Sequence, residues 1–135
     1  MTIDVWMQHP TQRFFSHEML DTLLRWTRQE APLDEPPLAG TVASMDAADV
    51  GFGLLSAWTA PHMPPLVSNE EAGWVAEYPD RFAGLAAVNL NKPMEAVREL
   101  RHCVEDLGFK GLRVVPWLWE APPTCLLYTS DAADE

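Results

Sequence analysis

Five kinds of side chain in this sequence could do chemistry. Arg113 lies in the apolar run Lys110–Pro116, which reads as a strand. A strand arginine must be paired when it is buried, so it meets either a substrate carboxylate or an acid of its own fold. Trp117 and Trp119 follow that strand and could wall an aromatic pocket, and Trp6 and Trp58 fall at the ends of two earlier apolar runs. Packing is the ordinary role of such large rings, and a pocket lined by them is the sharper reading. Asn89 and Asn91 follow a third apolar run; Asn89 could touch substrate, whereas Asn91 suits the cap of the next helix. His62 sits in a proline-rich loop, His17 and His102 sit in helical stretches, and Cys103 borders an apolar helical stripe. The histidines on helices read as surface residues and the thiol as a small hydrophobe.

These groups need a scaffold, and the hydrophobic period supplies one. Ile3–Gln8, Val50–Trp58, Arg81–Leu90 and Lys110–Pro116 are continuous apolar runs. Between them lie helical signals. Ser16 precedes Met19, Leu20, Leu23 and Leu24 on one face, and Thr41 can cap a short helix through Asp49. Ser68 and Glu71 form a capping box for a helix that stops before Pro79. Pro93 suits a first turn, Val97, Leu100, Val104 and Leu107 make a stripe, and Gly108 ends it. Strands buried on both faces and alternating with helices predict an α/β fold with a parallel sheet. Four such units are about half of a (β/α)8 barrel, which needs about 250 residues. Period alone leaves an open sheet as the alternative. No G-x-G-x-x-G opens the first helix, which weakens a dinucleotide-binding reading.

Composition narrows the class. The 135 residues carry 9 Lys+Arg against 20 Asp+Glu, a net charge of −11, so neither nucleic acid nor an anionic membrane surface is an expected partner. No apolar run approaches the roughly 20 residues of a membrane span, and no basic, apolar leader opens the chain. Two cysteines make no disulfide framework, and a reduced cytoplasm is the expected setting. Seven arginines against two lysines, with frequent Ala and Pro, suit GC-rich coding DNA, and a bacterial source is expected.

The pieces Ile3-Asp4-Val5, Met45-Asp46-Ala47-Ala48-Asp49-Val50 before Leu54-Leu55-Ser56, Tyr78-Pro79-Asp80-Arg81-Phe82 before Ala83-Gly84-Leu85, and Leu107-Gly108-Phe109-Lys110-Gly111 stand in collinear order. Together they resemble the amidohydrolase-related family, the aminocarboxymuconate-semialdehyde decarboxylase-like branch of the amidohydrolase superfamily. The resemblance runs from residue 3 to about residue 120. It implies a (β/α)8 barrel with zinc or manganese at its C-terminal mouth. It also implies hydrolysis or non-oxidative decarboxylation of a small carboxylated substrate, in a complete protein that could be a homo-oligomer. In the family the first strand ends in H-x-H, whose two imidazoles face one way. The ungapped register puts Trp6 and Gln8 at those positions. A one-residue slip puts Met7 and His9 there instead, and flips the strand's faces unless a bulge absorbs it. His9 is therefore the one candidate metal ligand, and the alternative is a barrel that has lost its metal and works as a metal-free enzyme or binding protein. The substrate-contacting candidates are Trp6, Trp58, Asn89, Arg113 and Trp117, and the acid–base residues are expected beyond residue 124.

The last eleven residues, Cys125–Glu135, resemble a translated sequencing adapter. The expected organisation is thus residues 1–124 as the N-terminal half of a barrel and 125–135 as an artefactual tail. Such a fragment is expected to be inactive and to hold no cofactor.

Overall fold

The structure is a computed structural model, and it describes residues 1–28, 30 and 34–120. The adapter-like segment 125–135 lies outside the described residues. Four strands, β1 (Thr2–Met7), β2 (Val50–Ser56), β3 (Phe82–Ala86) and β4 (Gly111–Leu112), form one sheet in chain order, with every neighbouring pair parallel. Helices α1 (Gln12–Phe15), α2 (Met19–Thr27), α3 (Leu38–Ala47), α4 (Asn69–Ala72) and α5 (Pro93–Glu105) fill the crossovers. Short 3₁₀ turns run over Gly73–Glu77 and Pro116–Trp119. This is a half-barrel of the expected α/β class. No described helix is long and apolar enough to cross a membrane.

Alternation along the strands separates two faces. Gly53 and Leu55 of β2 stand level with Phe82 and Gly84 of β3, and this face meets the helices. Leu55, Phe82, Ala86, Met45, Val75, Cys103 and Phe109 make the core there. Phe52, Leu54, Ser56, Leu85 and Gly111 take the other face, which would line the inside of a closed barrel. Gly84 is what lets Phe109 lie flat on the sheet, because a Cβ at Gly84 would sit inside the Phe109 ring.

The local signals held where they rested on backbone chemistry. The Ser68–Glu71 capping box is formed in both directions, and Pro93 opens α5. Gly108 takes a positive φ of 70° just beyond α5. Others shifted. Ser16 ends α1 rather than capping α2, and Thr11 caps α1 through the Phe14 N–H. Thr41 lies inside α3, which starts after Pro37. The α5 stripe is also divided. Cys103 and Leu100 turn to the core, whereas Val97 and Val104 are 55% and 49% exposed. Strand β2 ends at Ser56, short of its apolar run, and Trp58 leaves it to bridge Val67 in antiparallel fashion.

The two glycines at Gly84 and Gly40 should respond in opposite ways. Gly84→Ala overpacks Phe109 and should lower stability by about 1–3 kcal/mol. Gly40 is inside α3 with nothing near its missing Cβ, so Gly40→Ala should raise stability by roughly 0.5–1 kcal/mol. Urea denaturation of the two variants beside the parent checks both signs.

Candidate functional site

The end of β1 is set by a register shift. Asp4 pairs with Gly53 and Met7 pairs with Leu55, so three steps along β1 match two along β2. A bulge therefore absorbs one residue. It returns Met7 and His9 to the helix side and leaves Trp6 and Gln8 on the inner face. The Asp4 carboxylate steadies the bulge by accepting the Trp6 N–H at 2.8 Å.

His9 is buried among helices. Its Nδ1 lies 2.8 Å from Thr41 Oγ1 of α3, and its ring meets Trp74 edge-on at 4.7 Å. Glu35, Pro36, Leu38 and Glu77 line the cavity beside it. Burial holds its pKa below the ordinary histidine value, against the opposing pull of Glu35, the Pro36 backbone and Glu77. Among the described residues no group of three or more His, Cys, Asp or Glu side chains could hold a metal ion. The described residues do not fit a divalent metal.

The inner face gathers a different constellation. Arg113 leaves the end of β4 and is 9% exposed. Its Nη1 donates to Ser56 Oγ at 2.8 Å. With the Gln8 amide oriented so that its oxygen faces the guanidinium, that oxygen accepts from Arg113 Nη1 and Trp6 Nε1, each at 3.3 Å. The guanidinium carbon lies 3.3 Å from the Trp6 ring centroid and 5.2 Å from that of Trp58. Trp58 in turn meets Trp117 at 6.3 Å. Nε and Nη2 of Arg113 and Nε1 of Trp58 are buried with no partner among the described residues. Burial lowers the Arg113 pKa from its ordinary value.

Of the five substrate-contacting candidates, Trp6, Trp58, Arg113 and Trp117 thus come together. Asn89 lies apart, in a cavity of about 240 Å³ with Thr59, Asn69 and Glu99, and its Oδ1 accepts the Asn91 N–H. His62 is exposed in the loop after β2, with a φ of 67°. Cys103 is fully buried, and burial beside Glu99 pushes its pKa up to about 11, as befits a packed thiol. Ser56 and Gln8 are the cluster members that residue type alone did not single out. Their signal was positional, since both close an apolar strand on its inner face.

The depressed pKa of His9 sets a pH dependence. The unfolded chain takes up the His9 proton near pH 6.5, and the folded chain resists it to lower pH. The contribution is present above about pH 6.5 and is lost as pH falls through the folded value. His9→Asn should flatten this part of the profile, measured by urea denaturation between about pH 7.5 and pH 5. An unchanged slope in the variant would remove His9 as its source.

Comparison with known proteins agrees with this architecture. A γ-resorcylate decarboxylase of Rhodococcus jostii is 54% identical over 39 residues, which are 29% of this chain and 12% of that protein. The fold matches an uncharacterized TIM-barrel protein of Bordetella bronchiseptica with a TM-score of 0.64 and 25% identity, over 90% of this chain and 46% of that one. It also matches a 5-carboxyvanillate decarboxylase of Novosphingobium aromaticivorans with bound manganese and 3-methoxy-4-hydroxy-5-nitrobenzoic acid. That match has a TM-score of 0.62 and 22% identity, over 96% of this chain and 46% of that one. The chain thus spans less than half of each of these barrels. The family model described as Amidohydrolase matches residues 21–134, most of the sequence, and by that match the chain belongs to the amidohydrolase family.

Proposed function

We propose that residues 1–124 are the N-terminal half of a cytoplasmic bacterial enzyme that removes CO2 non-oxidatively from a small aromatic carboxylate. Residues 125–135 are an artefactual, adapter-derived tail in this reading. The observation that carries it is the cluster of Arg113 with Trp6, Trp58 and Trp117, which offers one cation and apolar ring faces at the strand ends. Sites in barrels of this kind are assembled at that end. The γ-resorcylate decarboxylase similarity supports this chemistry over hydrolysis. In such a reaction the ring carbon exchanges a carboxylate for a proton. The residues of this half bind and orient the ring, and the proton-transfer groups belong to strands beyond residue 124. A divalent ion, zinc or manganese, would likewise need donors from those strands, with His9 committed to α3.

A second reading has its own observation. Trp6 and Gln8 face inward at the positions where the family resemblance puts its first two imidazoles, and neither is an ordinary zinc ligand. A barrel built this way would be a metal-free enzyme or a binding protein.

The 135-residue chain should release no CO2 from 2,6-dihydroxybenzoate and should carry no stoichiometric metal after dialysis. Its β1 and β4 edges lack the partners a closed barrel provides, so it should self-associate in sedimentation. A chain extended through all eight βα units should release CO2. Release with stoichiometric metal supports the first reading, and release without it the second. A monomeric 135-residue chain that binds one metal and turns over would refute the fragment assignment.

A further inference from the structure

The inner face already holds a cation, and it belongs to the chain. Arg113 is nine-tenths buried, and its Nε and Nη2 are closed to solvent. The guanidinium is packed in place. Nη1 donates to Ser56 Oγ at 2.8 Å, and the guanidinium carbon lies 3.3 Å from the Trp6 ring centroid. The Gln8 oxygen, turned toward it, stands 3.3 Å from the same Nη1. Trp6 and Gln8 are also the two β1 positions at which the family resemblance puts paired imidazoles. The guanidinium therefore fills the space in front of both. Around it stand indoles, an amide and a hydroxyl, none of them an ordinary ligand for zinc. His9, the one candidate ligand, is turned away to Thr41 and Trp74. The disagreement with a metal centre is thus double. Ligands are missing on β1, and the place they would serve is taken by a like charge. Repulsion between two cations is strong where water is excluded.

We infer that Arg113 is the resident cation of this inner face: it stands where paired imidazoles on β1 would hold a metal ion, and it keeps a divalent ion out. The inference deepens the second reading above, and rests on that reading for the metal-free character of the complete barrel. For the exclusion itself it rests on the packing around Arg113. Three strands contribute to that packing. β1 supplies Trp6 and Gln8, the end of β2 supplies Ser56 and Trp58, and the end of β4 supplies Arg113. Exclusion is a separate property from the missing ligands. Restoring imidazoles at positions 6 and 8 is therefore not enough to restore a metal, because Ser56 still holds the guanidinium in front of them. Removing the guanidinium as well clears the place for an ion.

The probe is zinc, with binding to the 135-residue chain measured by equilibrium dialysis. Three chains are compared: the parent, the double variant Trp6→His with Gln8→His, and that double variant with Arg113→Met added. The double variant should bind zinc no more tightly than the parent. The triple variant should gain a zinc ion and bind it at least about ten-fold more tightly than the double variant. Arg113→Lys in the double-histidine background keeps the charge and should stay close to the double variant. A further measurement needs no variant, so the test survives one that folds poorly. An ion that binds only the folded chain raises its urea midpoint, and zinc should leave the midpoint of the parent unchanged. Tight zinc binding by the double variant overturns the inference, because Arg113 then excludes nothing. Equal zinc binding by the double and triple variants overturns it too, because Arg113 then fills no place an ion would use. A zinc-dependent rise in the parent's midpoint does the same. The metal-free reading is judged separately, on the eight-unit chain. Stoichiometric metal there, with zinc still excluded from the short double variant, would count against that reading and leave the role of Arg113 standing.

Discussion

Parallel strands that neighbour one another in chain order must be joined by crossovers on one side of the sheet, and the other arrangements of this chain follow from that. Helices α3, α4 and α5 contribute Leu38, Met45, Ala72 and Cys103 to the core that forms with Leu55, Phe82 and Ala86. The opposite face receives Phe52, Leu54, Ser56 and Leu85, which a closed barrel would enclose. Every residue at a strand end is thereby assigned either to packing or to the mouth. Gly84 shows how narrow the tolerance is on the packing side, since Phe109 occupies the space of its missing side chain.

The bulge in β1 makes this assignment where it matters for chemistry. Without it, continuous alternation from Asp4 would reverse the faces of Trp6 to His9. With it, His9 turns into the helical layer, where Thr41 and Trp74 hold it. The inner positions go to an indole and an amide. A cation still stands there, but it is Arg113. A guanidinium among tryptophans and a metal among imidazoles solve different problems. The first recognises the plane and the two oxygens of a carboxylate, and the second polarises whatever oxygen it binds.

The burial of Arg113 is also a liability for the isolated half. A buried charge is tolerated when it is paired, and here one edge of it has no partner among the described residues. Val97 and Val104 on α5 are likewise exposed, and β4 is only two residues long.

Much of this was legible in the residues themselves. Continuous apolar runs with capping signals between them determine a parallel α/β sheet, because period and caps are local properties of the backbone. Pro93, Gly108 and the Ser68–Glu71 box performed as their chemistry requires. The collinear pieces from Ile3 to Gly111 also carried the family. What the sequence could not decide was which of Trp6, Gln8 and His9 faces the mouth, because a one-residue bulge reverses that choice and depends on pairing with β2. Nor could it join Arg113 to Ser56, 57 positions away, or separate Asn89 from both. Those proximities exist only once the strands are laid side by side, since contacts across a sheet are set by register and not by distance along the chain.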